Sequence, residues 1–206
     1  MIHLCGTRAP LCQFPRWCDL AQPDRPRRAD AARNRARVLD VAYRTFAAEG
    51  LSVPIDEIAR RACVGAGTVY RHFPTKADLF RAVVEDRIRR IVEEGRALLA
   101  GECPGEALFI FLRSMVLQWG ATDRGLAEAL AGLGIDIETS LPEAEDDFLG
   151  MLNDLLRAAQ KAGTVRADVS VPDLKAIVVG TQAMQAVRPD AAERLTEVVL
   201  DGLRAS

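Results

Sequence analysis

The chain has 206 residues and a mass of 22.5 kDa, is 49% hydrophobic and 27% charged, and carries a formal net charge of -2. That leaves room for one large domain, or a small one joined to a medium one, with an ordinary globular composition. No apolar run approaches the ~20 residues needed to cross a bilayer, so no membrane partner is expected.

The opening stretch, "MIHLCGTRAPLCQFPRWCDLAQPDRP", is interrupted by Arg8, Pro10, Pro15 and Arg16 and does not read as a signal peptide. The expected address is the cytoplasm, and residues 1–28 are expected to form a disordered leader. His3, Cys5, Cys12 and Cys18 lie in it, but their spacing lacks the C-x-x-C knuckle of a zinc site. With Cys63 and Cys103 the cysteine count is odd, which argues against a disulfide framework. No metal and no cofactor are expected.

Helical periodicity dominates the rest of the chain. In "RADAARNRARVLDVAYRTFAAEG", Val38, Ala42 and Phe46 form one stripe with Leu39 and Tyr43 beside it, and Gly50 suits a stop. "SVPIDEIARRA" reads as a short helix entered at Ser52 or Val53, with Pro54 tolerated in its first turn. Ile55, Ile58, Ala59 and Ala62 form its buried side. After a break at Cys63, Val64 and Gly65 comes a third helix, in which Val69 and Phe73 point inward and which Pro74 ends. Thr75 and Asp78 make a capping-box-like start for a long helix from about Lys76 to Leu99. Further amphipathic helices are expected near 105–120, 123–132, 142–163, 171–187 and 189–206. The fold class is therefore all-α.

Charge is unevenly spread. Residues 25–81 hold twelve Lys/Arg against six Asp/Glu, whereas residues 82–206 hold thirteen against twenty-one. A positive head on a negative body suits a protein that meets phosphate at one end only.

A short helix, a tight turn and a second short helix make a helix-turn-helix. Inward Val64, Val69 and Phe73 leave Gly65, Ala66, Gly67, Thr68, Tyr70, Arg71 and His72 facing outward. Hydroxyls and ring nitrogens bond phosphate oxygens, and a guanidinium reaches guanine edges in the major groove. Taken singly, Tyr70 and His72 are ordinary packing residues and Arg71 an ordinary solvated charge; their register is what points to double-stranded DNA. The arginines from Arg25 to Arg37, Arg33 among them, read as an arm along the DNA backbone.

"RVLDVAYRTFAAEG", "IDEIARRACV" and above all "GTVYRHFPTKADLF" resemble the TetR-type transcriptional regulators over about residues 33–82. The resemblance implies phosphate contacts from Thr68, Tyr70, His72 and Lys76, and a groove-facing surface at Ala66, Gly67 and Arg71. Two positions depart from the pattern. Cys63 stands where the family usually has glycine, so a left-handed backbone there would be strained. Gly65 stands where a serine often caps the recognition helix.

The family architecture further implies an N-terminal DNA-binding domain over 29–75 and a helical effector-binding and dimerisation domain over 76–206. The last two helices, with Ile177, Val178, Thr181, Met184, Leu195, Val198 and Val199, would form a homodimer interface. A small organic effector would sit among Phe109, Met115, Gln118, Trp119, Phe148, Met151 and Leu155, although residues of these types at helical spacing also simply build cores. The segment "ATDRGLAEALAG" resembles the C-terminal domain of the SbtR-type subgroup. With two histidines and no serine or cysteine in a nucleophile context, no enzyme is expected. The reading is a dimeric repressor released from a palindromic operator by a small ligand. The alternatives are a sensor or partner-binding protein of the same fold without operator binding, and a redox sensor acting through the N-terminal cysteines.

Overall fold

A computed structural model of the chain describes residues 25–117 and 137–205. Among them run nine α-helices: α1 (Arg25–Glu49), α2 (Ile55–Arg61), α3 (Ala66–His72), α4 (Lys76–Leu99), α5 (Ala107–Leu117), α6 (Ile137–Ser140), α7 (Pro142–Lys161), α8 (Val171–Val187) and α9 (Ala192–Leu203). The all-α expectation holds. No helix among the described residues is long and apolar enough to cross a membrane.

The helices bury two apolar clusters. In the first, Phe46 of α1 meets Phe80 of α4 edge-to-face with centroids 5.6 Å apart, a favoured aromatic geometry. Ile58, Val69, Phe73, Leu79 and Val83 fill in around them. The second cluster holds Phe109, Phe111 and Leu112 of α5, Met151 and Leu155 of α7, Leu174 of α8 and Leu200 of α9. Helix α4 serves both: Leu79, Phe80 and Val83 near its start belong to the first, and Ile91 and Val92 further on belong to the second. Ile88 packs against each. The start of α7 also reaches the first cluster through Leu141 and Ala144.

Two close approaches fix the body. A Cβ on Gly95 of α4 would fall 2.3 Å from Met151 Sδ, so glycine is what lets α7 lie this close. At the C-terminus, Val165 and Arg204 form an isolated antiparallel bridge, with Arg166 N donating to Leu203 O at 3.0 Å and Ala205 N to Thr164 O at 3.1 Å. The bridge places the Arg204 guanidinium 4.2 Å from the centroid of the Phe109 ring.

Several boundaries differ from the periodicity reading. Helix α1 begins at Arg25, so it takes in residues 25–28 of the expected leader; Pro26 is tolerated there because first-turn N–H groups have no helical acceptor. Pro54 stands outside α2 as its N-cap, extended at φ -66° and ψ 150°, and its carbonyl accepts from Glu57 N and Ile58 N. Ser52 belongs to a 3-10 turn, Gly50–Ser52. The final helix starts through another such turn, Pro189–Ala191, and ends at Leu203. The expected helix at 123–132 lies outside the described residues.

Candidate nucleic-acid interface

The turn between α2 and α3 is held by backbone alone. Val64 N donates to Ala59 O at 3.0 Å and Cys63 N to Arg60 O at 3.1 Å, the pair of bonds of a Schellman C-cap. That motif requires a left-handed residue between them, and Cys63 occupies it at φ +52°. Half-buried Val64 then folds back onto the first cluster, while Gly65 starts α3 with an extended ψ of 134° and no side-chain cap. Both departures noted in the sequence are thus built into the turn.

Val69 and Phe73 are buried and anchor α3. Gly65, Gly67, Tyr70, Arg71 and His72 are exposed. Ala66 and Thr68 are half-buried, and Ala66 packs partly against the first cluster; it lies at the margin of the outward face because it precedes Val69 by three residues, close to one helical turn. Arg71 makes no hydrogen bond or ion pair among the described residues. Other arginines of the head are engaged on their own helices: Arg33 with Asp30, Arg44 with Asp40 at 3.0 Å and Arg60 with Glu57 at 2.7 Å.

Two further features surround this face. The Lys76 ammonium donates to Leu51 O at 2.7 Å, tying the start of α4 to the turn after α1. The Arg35 guanidinium lies 5.7 Å from the Phe73 ring centroid, and Asn34 and Arg35 share a narrow crevice with Thr68 and His72. The sequence pattern places Arg35 only in a basic arm. Counting back four residues from buried Val38 and Leu39 puts Asn34 and Arg35 on the same side of α1, and that spacing was the available clue.

On α2, Glu57 is heavily paired. Glu57 accepts from Arg60 and Arg61, and hydrogen bonding to Arg60 first and Arg61 second pulls its carboxyl from 4.5 down to about 2. Arg61 also donates to Glu49 of α1, and that bond holds the Glu49 carboxyl below its usual value. The result is a clasp between α1 and α2.

In the body, Phe109, Met115, Met151 and Leu155 are buried within the second cluster and Phe148 is half-buried against it. Gln118 and Trp119 lie outside the described residues. On α8, Val178 and Thr181 are buried in the chain's own core, with the Thr181 hydroxyl donating to Ile177 O at 2.8 Å. Ile177, Met184, Leu195 and Val199 are half-buried. Val179 and Val198 are 60% and 61% exposed.

Comparison with known proteins matches both halves. Residues 38–83 fit the family model of bacterial regulatory proteins of the tetR family, and residues 103–205 fit the SbtR-like transcriptional regulator C-terminal domain. The HTH-type transcriptional regulator SrpR of Pseudomonas putida is 31% identical over 140 residues, which is 66% of this chain and 65% of that regulator, slightly under two thirds of its length. The crystal structure of a TetR transcription regulatory protein from Mycobacterium vanbaalenii shares 61% identity with a TM-score of 0.75, covering 87% of this chain and all of that one. That of the TetR transcriptional regulator SCO0520 from Streptomyces coelicolor shares 33% identity with a TM-score of 0.70, covering 84% and 99%. With the turn, the anchored α3 and the helical body each matched, the chain belongs to the TetR family of bacterial transcriptional regulators and carries an SbtR-like C-terminal domain.

Proposed function

We propose that the protein is a dimeric repressor that binds a palindromic operator and is released from it by a small organic ligand. One observation carries the DNA-binding part: α3, buried through Val69 and Phe73, turns Arg71, which has no partner among the described residues, outward between Tyr70 and His72. An unpaired guanidinium on a recognition helix suits bidentate pairing to guanine. Thr68, Tyr70, His72 and Lys76 supply phosphate contacts, which fix register without reading sequence.

Two copies joined through α8 and α9 place two such helices one helical turn of DNA apart, ~34 Å, which a palindrome matches. Release occurs if a ligand favours a dimer whose readers no longer keep that spacing. Going from nearly full to nearly absent binding takes a preference of about 10⁴-fold, or ~5.5 kcal/mol. The tightly packed Phe109, Met115, Met151 and Leu155 belong to the DNA-binding state in this reading. An apolar ligand entering among them, against Phe148, would prise α5 from α7.

Selection of duplexes from a random pool by the purified full chain tests this reading. The expected product is an inverted repeat, and Arg71→Ala is expected to relax one position per half-site at a cost of ~1–3 kcal/mol. Failure to enrich any duplex at modest ionic strength would overturn operator binding. An unchanged motif with Arg71→Ala would remove Arg71 from base reading.

A further inference from the structure

Residues 33–37 carry three arginines, each in a different setting. The Arg33 guanidinium donates to the Asp30 carboxylate, and that of Arg37 donates to the Asn34 side chain. Arg35 is exposed and makes no ion pair among the described residues; its guanidinium carbon instead lies 5.7 Å from the centroid of the Phe73 ring. Phe73 is buried and closes α3 as its C-cap. The exposed His72 ring lies 6.2 Å from it, centroid to centroid. One aromatic ring thus borders a cation of α1 and the imidazole of α3. The crevice where Asn34 and Arg35 meet Thr68 and His72 has a volume of about 10 Å³, about the room one water needs. The two helices therefore present one continuous surface there, not a pocket for an organic molecule.

We propose that Arg35 is a separate backbone contact: held over Phe73, its guanidinium grips a DNA phosphate next to those met by Thr68 and His72, so that α1 and α3 clamp one strand together. The inference rests on DNA binding through α3 and adds to it a residue of a different helix. A guanidinium lying over an aromatic face keeps its N–H groups pointing outward from the ring edge, and phosphate accepts such a fork through two oxygens. Arg33 and Arg37 must first give up Asp30 and Asn34 to do the same, which offsets their gain. Among these three, Arg35 is the one set for phosphate. Because its guanidinium rests on the residue that ends α3, a phosphate held there also fixes the seat of α3 against the strand.

The test measures binding of the full chain to a short mixed-sequence duplex across a salt series, so that no operator need be known. Arg35→Met, which keeps an apolar stem against Phe73, is expected to weaken binding about tenfold and to lower the salt slope by about one. Arg33→Met is expected to change the slope by less than half as much. Arg35→Lys keeps the charge and serves should Arg35→Met melt early: it is expected to retain the slope and still bind severalfold more weakly, because an ammonium neither stacks flat nor forks. An unchanged slope in Arg35→Met, equal losses in Arg33→Met and Arg35→Met, or full affinity in Arg35→Lys would each overturn the Arg35 contact while leaving DNA binding by α3 in place. A wild-type chain that ignores the duplex even at low salt would instead remove both.

Discussion

Cys63 holds a left-handed conformation at φ +52°, where an L side chain costs about 1–2 kcal/mol. The same Schellman geometry closes α7, where Gly163 at φ +70° fills the equivalent position and Thr164 N donates to Ala159 O at 3.0 Å. The Cys63 side chain is exposed, so little packing is lost on removing it. Cys63→Gly is therefore expected to stabilise the fold by about 0.5–1 kcal/mol after the added freedom of the unfolded glycine. Urea denaturation checks this: the midpoint should rise with unchanged slope, and a lower midpoint would mean that the thiol packs usefully. Lys76 makes a second residue-scale case, since its ammonium both holds Leu51 O and is expected at phosphate. Lys76→Met should lower stability by about 1 kcal/mol through the lost bond, and should reduce the salt slope of DNA binding by about one. Loss of slope with unchanged stability would leave the bond to Leu51 O without energetic weight. The strain at Cys63 was legible because turn chemistry is local. The Lys76 bond joins residues 25 positions apart and depends on how α4 docks, which no local pattern encodes.

At the scale of elements, the clasp from α2 to α1 is pH-sensitive. Glu57 is pulled from 4.5 to about 2 by Arg60 and Arg61. A carboxylate whose folded value is depressed adds stability above its unfolded value, and that stability is lost as pH falls toward the folded one. The wild type should thus lose stability between about pH 4.5 and 2, and Glu57→Gln should flatten that part of the profile; parallel urea midpoints for the two proteins across this window would contradict it. The crossing of α4 and α7 is a matter of shape instead. Met151 is buried and cannot easily yield to a Cβ at Gly95, so Gly95→Ala should destabilise by about 1–3 kcal/mol through overpacking, reduced by up to about 1 kcal/mol of helix propensity. In a double-mutant cycle with Met151→Ala the two costs should be strongly non-additive; simple additivity would show that α7 shifts freely. Helix existence was legible from apolar spacing, as Val38, Ala42 and Phe46 illustrate, and so was the Thr75–Asp78 capping box. Pro54 was not legible as a cap, because a first-turn proline and an N-cap proline look alike in sequence. The Val165–Arg204 bridge was illegible, since single-residue pairing leaves no alternation to read.

For the whole molecule, one helix, α4, runs through both apolar clusters, and Leu141 and Ala144 add a second link from the body to the first. A displacement in the body therefore cannot leave α1–α3 untouched, because packed interiors transmit shifts rather than absorb them. In the head, α3 exposes Arg71 and buries Val69 as the register implied, whereas Ala66, expected outward, packs partly against the first cluster. The body was legible only as helices. Val178 and Thr181, expected at the dimer face, are buried in the chain's own core, because Val178 follows buried Leu174 by four residues and so shares its side of α8. The adjacent Val179 falls on the opposite side and stands exposed on α8, as Val198 does on α9. If these two valines form the centre of the proposed dimer, charges there should split it without unfolding the chain. Val179→Asp with Val198→Asp is expected to sediment as a monomer, with helicity and melting temperature nearly unchanged, as for other exposed substitutions. Its affinity for a full palindrome should fall by about a hundredfold or more, because linkage of two readers is what multiplies half-site affinity. Affinity for an isolated half-site should stay as it was. A variant that remains dimeric would move the interface elsewhere on the body, and a monomer that kept full operator affinity would mean that each reader recognises its site alone.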